Sequence, residues 1–169
     1  MMKKNKQEVI FMDIRFATPK DVPGILSLLR QVGQLHYEGR PDIFRSGAQK
    51  YGPSQILGML DKSATPIFVA VEKDKVLGYG FCQIKTFYQD PVIADHTELL
   101  LDDLCVDEST RGAGVGKAIY QEICRYAKMR GCSAITLNVW CCNEGAMKFY
   151  EKLGLRPQKI SMEMLLDEE

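Results

Sequence analysis

Leu99-Leu100-Leu101-Asp102-Asp103-Leu104-Cys105-Val106 runs directly into Asp107-Glu108-Ser109-Thr110-Arg111-Gly112-Ala113-Gly114-Val115-Gly116-Lys117, and this stretch decides the fold. Its first part is an apolar run of strand length, read as a central strand over residues 99–106; beyond its end, Ile119, Ile123 and Ala127 recur every four residues as one helical face. Three glycines thus sit where a strand becomes a helix. Glycine lets backbone amides approach a ligand with no Cβ in between, and those amides together with the helix dipole offer partial positive charge to a pyrophosphate. Arg111 and Lys117 add full charges. A dinucleotide-binding motif needs GxGxxG beside a first strand, and a nucleotide P-loop needs four residues between its glycines. The spacing GxGxGK, two-thirds along the chain, fits neither. Glycines alone would equally suit a turn with no ligand, so the context has to decide.

Working outward, residues 13–17 alternate as a short strand, and Thr18-Pro19-Lys20-Asp21 supplies a cap, a first-turn proline and an acid for a helix to about Gln34. After a loop containing Gly39-Arg40-Pro41-Asp42, Ser54 caps a second helix through Lys62. Residues 67–71 and 76–87 form a hairpin across the turn Lys73-Asp74-Lys75, with Gly78 and Gly80 marking a bulge. Downstream come a helix over 114–130, a strand over 134–140, a helix over 144–153 and a last strand over 160–166. The order is β-α-α-β-β-β-α-β-α-β. It describes an α/β (α+β) fold, a mixed central sheet flanked by helices, in a single domain over 13–169.

A chain of 169 residues has enough length to bury roughly 70% of its unfolded surface. With 26% charged residues and zero formal net charge, nothing suggests a nucleic-acid partner. The basic start, residues 1–12, carries an apolar stretch of only Val9 to Met12, too short for a leader or a membrane span, so a flexible lead-in to a cytoplasmic protein is expected. The six cysteines are expected reduced and mostly buried. His36 and His96 lie near no CxxC pair, so no metal is expected.

The glycine stretch resembles the signature of the GNAT superfamily of N-acetyltransferases, (Arg/Gln)-x-x-Gly-x-(Gly/Ala), at Arg111, Gly114 and Gly116. A second family pattern, Asn-x-x-Ala-x-x-(Phe/Leu)-Tyr-x-x-x-Gly-(Phe/Leu), stands at Asn143, Ala146, Phe149, Tyr150, Gly154 and Leu155. Order and spacing both agree over residues 99–155. The resemblance implies a mostly antiparallel sheet and acetyl-coenzyme A as cosubstrate, held by Leu104, Cys105 and Val106 on a splayed strand. Arg111, Gly112, Ala113, Gly114, Val115, Gly116 and Lys117 would take the pyrophosphate, with Asn143, Ala146, Phe149 and Tyr150 on the last helix.

Transfer of an acetyl group to an amine needs a neutral nitrogen, stabilisation of the carbonyl oxygen and a proton for the departing thiolate. By resemblance Tyr150 is the acid, since a phenol stays protonated at neutral pH. Family members draw the base from positions matching Glu98 or Asp102, and Asp102 is the first choice. Simple alternation puts Glu98, Asp102 and Leu104 on one strand face and Asp103 with Cys105 on the other, unless a bulge resets the phase. Cys105, Cys141 and Cys142 lack a partner base in sequence, which favours direct transfer in a ternary complex over an acetyl-enzyme.

The acceptor region falls in residues 36–51 and 87–98, and the substrate-binding candidates are Tyr37, Arg40, Phe44 and Tyr88 there and Asp103 on the following strand. Asp90, Asp95, Glu98, Asp102 and Asp103 concentrate acid there, pointing to a cationic small-molecule or peptide amine. Arg40-Pro41-Asp42 reads equally as a turn with an ion pair, and the acids equally as a solvated loop. A homodimer is compatible with this reading, which includes no membrane partner. The rival readings are a catalytically silent acyl-coenzyme A sensor or scaffold and a protein holding another nucleotide.

Overall fold

Lys73 and Asp74 both take positive φ, 46° and 67°, and make the tight turn between β2 (Ile67–Glu72) and β3 (Lys75–Phe87). The computed structural model describes residues 12–166, in two compact units that meet in sequence between Asn138 and Val139. The first holds a five-stranded sheet in chain order, completed by β1 (Asp13–Phe16), β4 (His96–Val106) and β5 (Ala134–Leu137). The pairs from β1 to β4 are antiparallel, and β5 lies parallel to β4. A parallel neighbour needs a crossover, which α3 (Val115–Met129) provides.

Helix α1 (Val22–Gly39) turns Val22, Ile25, Leu28 and Leu29 onto Val69, Val71, Val76, Tyr79 and Phe81, and α2 (Pro53–Leu60) adds Ile56. Each such aliphatic side chain contributes about 1.5–3 kcal/mol by leaving water. Helix α3 covers the opposite face with Val115, Ile119, Ile123 and Ala127. It lies close because a Cβ on Gly80 would stand 2.8 Å from Ile123 Cδ1, and one on Gly78 2.9 Å from Ile119 Cδ1. Those glycines are therefore contact points for a helix. The nearby bulge belongs to Leu77, left without a partner between the pairs Ala70–Gly78 and Val71–Val76.

The entry to α1 is a 3-10 turn, Pro19–Asp21, where buried Asp21 accepts both Arg15 guanidinium nitrogens at 2.7 and 2.9 Å and the Thr18 N–H at 2.7 Å. Helix α1 ends at Gly39, five residues beyond the expected Gln34. Gly33 does not stop it: the Ala48 carbonyl oxygen sits 2.1 Å from where a Cβ would be, so the glycine admits the following loop against the helix. Helix α2 is capped at Gly52, whose N–H donates to Gln55 Oε1 at 2.8 Å, and expected cap Ser54 lies inside the helix.

In the second unit, α4 (Glu144–Lys152) starts at Asn143, whose side chain accepts the Ala146 N–H at 3.1 Å. It closes on Gly154 at φ 93°, with the Leu155 N–H reaching the Tyr150 carbonyl at 3.1 Å. Two strand expectations are corrected. β5 stops at Leu137 instead of Trp140, and residues 160–166 form no strand. That segment has the alternation of a strand, but a strand is made by a partner's hydrogen bonds; Ile160, Met162 and Met164 stay exposed. The lead-in expected before residue 13 lies outside the described residues except for Met12. Among the described residues no helix is long and apolar enough to cross a membrane, and no group of three metal-ligating side chains occurs. Cys82 and Cys105 are buried, Cys124 and Cys132 half-buried, and Cys141 and Cys142 exposed, so fewer thiols are buried than expected.

Candidate active site

The β3–β4 ladder pairs Phe81 with Asp103 and Cys82 with Leu101, which leaves Asp102 as one residue too many. A regular strand sends adjacent side chains to opposite faces, and a bulge cancels that alternation. Asp102 and Asp103 consequently both point to the α1/α2 face. Asp102 Oδ2 accepts the Tyr51 hydroxyl at 2.5 Å, and Asp103 Oδ2 accepts the Tyr79 hydroxyl at 3.0 Å. Both tyrosine rings pack on Phe81 with centroids 5.0 Å away. Lys50 Nζ completes the cluster, 2.9 Å from Asp102 Oδ2 and donating to the Asp102 carbonyl at 2.9 Å. The assignment of the two aspartates to opposite faces is thus corrected. Leu104 also changes place: it pairs with Gly80 and faces α3, away from Asp102.

Burial, reinforced by neighbouring Asp102, pushes the Asp103 carboxyl up to about 6, against the opposing pull of Lys50 and the Tyr79 hydroxyl. That value suits a proton acceptor working near neutral pH. The Tyr79 and Tyr51 phenols are raised by burial and by the aspartates they touch, so both remain donors. Burial and then Asp103 push the Cys105 thiol up to about 12, and its sulfur is directed at the Leu28 carbonyl, 3.6 Å away. His36 is held below its ordinary value by burial and by Lys50.

Glu98 lies four residues before Asp102, about 13 Å along a strand. It is near His96 Nε2, 3.9 Å away, whose ring stacks on Phe87 at 4.7 Å. The structure therefore gathers Asp102 and Asp103 and leaves Glu98 in a separate group. The loop acids are engaged with their own turn. Asp90 Oδ1 accepts the N–H groups of Val92 and Ile93 at 2.8 Å, and Asp95 Oδ1 accepts that of Gln89 at 2.8 Å. Tyr88 is 72% exposed. Tyr37 is half-buried on α1, Phe44 stacks on His36 at 5.0 Å, and Arg40 forms an ion pair with Asp42 at 2.7 Å.

Beyond Leu101 the strand β4 has no β5 partner, because the parallel ladder ends at the pair Leu101–Leu137. The backbone of Asp102 to Val106 therefore lies past the end of the parallel pairing, where the splayed strand was expected. Asp107 then organises the turn, accepting the Ser109 N–H at 3.0 Å and its hydroxyl at 2.7 Å and pairing with Lys75 at 3.2 Å. Gly112 and Gly114 take φ of 83° and 86°, where a side chain is strained, and Gly114 caps α3 with no side chain taking its first amides. The N–H groups of Val115, Gly116 and Lys117 open this helix, with Arg111 and Lys117 exposed beside them. Arg111 also lines a cleft of about 460 Å³ with Ser27, Arg30, Gln31 and Gln34 of α1. In the second unit Phe149 and Tyr150 pack edge to face, 5.1 Å apart, on α4.

Lys50, Tyr51 and Tyr79 were absent from the residues singled out in sequence. Tyr79 reads as strand core and Lys50-Tyr51 as loop; partners 24 residues away for Tyr79 and about fifty for the other two leave no local signal.

The acetyltransferase (GNAT) family profile matches residues 31–155. A stretch of 64 residues is 38% identical to the glucosamine 6-phosphate N-acetyltransferase of Trypanosoma brucei brucei, covering 38% of this chain and 42%, less than half, of that enzyme. The thialysine N-epsilon-acetyltransferase of Bos taurus is 27% identical over 149 residues, 85% of this chain and 84% of its own. Among solved structures, a variant of the BH1408 protein of Bacillus halodurans superposes with a TM-score of 0.87 at 34% identity, covering 91% of this chain and 99% of that one. The profile spans both glycine turn and bulged strand, and with the full-length structural likeness it shows that the chain belongs to the acetyltransferase (GNAT) family, whose members draw their acetyl group from acetyl-coenzyme A.

Proposed function

We propose that the chain, as one catalytic domain over 13–169, is an N-acetyltransferase that acetylates a cationic primary amine by direct transfer within a ternary complex. The observation that carries this reading is the pair of carboxylates which the bulge turns to one face at the end of β4 that has no β5 partner. A protonated amine is attracted to Asp102 and must lose its proton before it can attack. Asp103, beside Asp102 and poised near neutral pH, accepts it, with Glu98 serving a more distant, water-linked role. Bound acetyl-coenzyme A supplies the thioester. The turn from Arg111 to Lys117 holds its diphosphate through backbone N–H groups, Gly112, Ala113, Gly114, Val115 and Gly116 among them, and the backbone of Leu104, Cys105 and Val106 binds the arm. By the family pattern Asn143, Ala146 and Phe149 serve the cofactor, and Tyr150 gives a proton to the departing sulfur.

Direct transfer is favoured because the Cys105 thiol, at about 12, holds almost no thiolate at neutral pH. A cationic acceptor is supported by the acid pair and by the name of the bovine relative, whose thialysine carries a side-chain amine. The experiment is an acceptor screen with acetyl-coenzyme A, read by mass spectrometry and thiol release, repeated on Tyr150→Phe. The variant is expected to lose about a hundredfold in kcat with little change in the KM for acetyl-coenzyme A. Coenzyme A binding without thiol release on any amine would instead mark a silent scaffold, and wild-type kcat in Tyr150→Phe would move the acid elsewhere.

A further inference from the structure

A cation already stands where the proposed acceptor's charge would go. Lys50 Nζ lies 2.9 Å from Asp102 Oδ2 and hydrogen-bonds the Asp102 carbonyl at 2.9 Å, while Tyr51 takes the same carboxylate oxygen. The lysine arrives from the solvent side: its side chain is 44% exposed, against 16% for Asp102. The two partners are therefore held unequally. Asp102 is fixed in the sheet by the bulge, whereas an ammonium on a four-carbon stem returns to water at small cost. The loop that carries Lys50 is fixed on both sides, by the Ala48 carbonyl against Gly33 and by the start of α2 at Pro53. Lys50 is thus delivered to one place, and its side chain is more exposed than that of the carboxylate it meets.

A lysine whose side chain is 44% exposed adds little to stability through its ion pair, so fold maintenance gives little reason for it. Its chemistry is that of a substrate. A primary ammonium on the carboxylate, with a phenol alongside, is what an incoming cationic acceptor would present.

We propose that Lys50 is a built-in competitor for the acceptor site: its ammonium occupies the place of the acceptor's on Asp102, and a cationic amine binds by displacing it. This deepens the function proposed above and rests on it. Lys50 then acts on specificity. It raises the concentration at which any amine holds the acid pair, and it favours acceptors whose remaining groups make contacts that lysine cannot. Its departure as the amine enters keeps one positive charge beside Asp102 and Asp103, so the acids experience a similar field before and after exchange.

The test measures n-butylammonium binding to the full chain by amide chemical shifts at residues 102–104, in wild type, Lys50→Gln, Lys50→Ala, Lys50→Arg and Asp102→Asn. Removing the competitor should tighten binding about tenfold in both neutral variants, an effect of ~1.4 kcal/mol. Lys50→Arg, which keeps the charge, should stay close to wild type; the tighter binding in the neutral variants is the outcome that a merely structural role for the side chain would not produce. In Asp102→Asn the probe should bind several-fold more weakly. Unchanged or weaker binding in both neutral variants, with Asp102→Asn still impaired, would overturn the competitor and leave the cationic site standing. Wild-type binding in Asp102→Asn would remove the cationic site itself, and the competitor with it.

Discussion

Two groups of aspartates lie within fourteen residues of each other and have opposite fates. Asp90 and Asp95 sit in the β3–β4 loop, where their oxygens close turns on the N–H groups of Val92, Ile93 and Gln89. Asp102 and Asp103 sit inside an apolar strand, face the same side through a bulge, and engage only hydroxyls and a lysine besides backbone. In sequence both groups contribute to one acidic run. What separates them is the identity of the donors: a carboxylate saturated by its own loop is local architecture, and one met by side chains from distant elements, a half-exposed lysine among them, is the candidate site.

The comparison is broken most directly at Asp103. Asp103→Asn should lower kcat/KM by about a thousandfold. Wild-type activity should rise as pH passes about 6, because the carboxyl must be ionised to take the proton, and that limb should vanish in the variant. A pH–rate profile of both proteins checks this, and an unchanged limb would return the role to Asp102 or Glu98.

A third acid sharpens the contrast from the stability side. Asp21 is buried with its oxygens on Arg15 and Thr18, and although burial alone would raise its carboxyl, those partners hold it below the ordinary value. Asp21→Asn should cost about 3 kcal/mol in urea unfolding with kcat unchanged. Since the folded pKa is depressed, the stabilisation is complete above the unfolded value of 3.8 and fades as pH falls below it; the variant should lose that acid dependence. The smallest effect is expected in the loop. Asp90→Asn with Asp95→Asn should leave kcat and KM for a cationic amine within about twofold of wild type, and a tenfold rise in KM would place the loop in the acceptor site.

Much of the frame was legible because it is written in periodicity. The hairpin around Lys73-Asp74, the strand through residue 106 and the helix expected over 114–130, found at Val115–Met129, all follow from local pattern. The glycine turn was legible for the same reason: Gly112 and Gly114 take the positive φ that glycine alone adopts without strain. The rest depends on partners distant in sequence. A bulge is a mismatch between two strands, so Asp102 alone carries no sign of it. The helix expected to about Gln34 runs on to Gly39, and the approach of Ala48 to Gly33 carries no sign in the sequence. Residues 160–166 have the pattern of a strand and find no partner among the described strands. Tyr51 and Lys50 join the site through contacts spanning about fifty residues, beyond any window of local reading.

The surplus residue in β4 has one more consequence. Perfect alternation can never bring two consecutive side chains together, so the sheet must give up a rung of its ladder wherever neighbouring acids are to act as one. On the proposed function, stability and turnover therefore pull in opposite directions at Asp102: a strand without the extra residue would pair more evenly and would no longer set two carboxylates side by side.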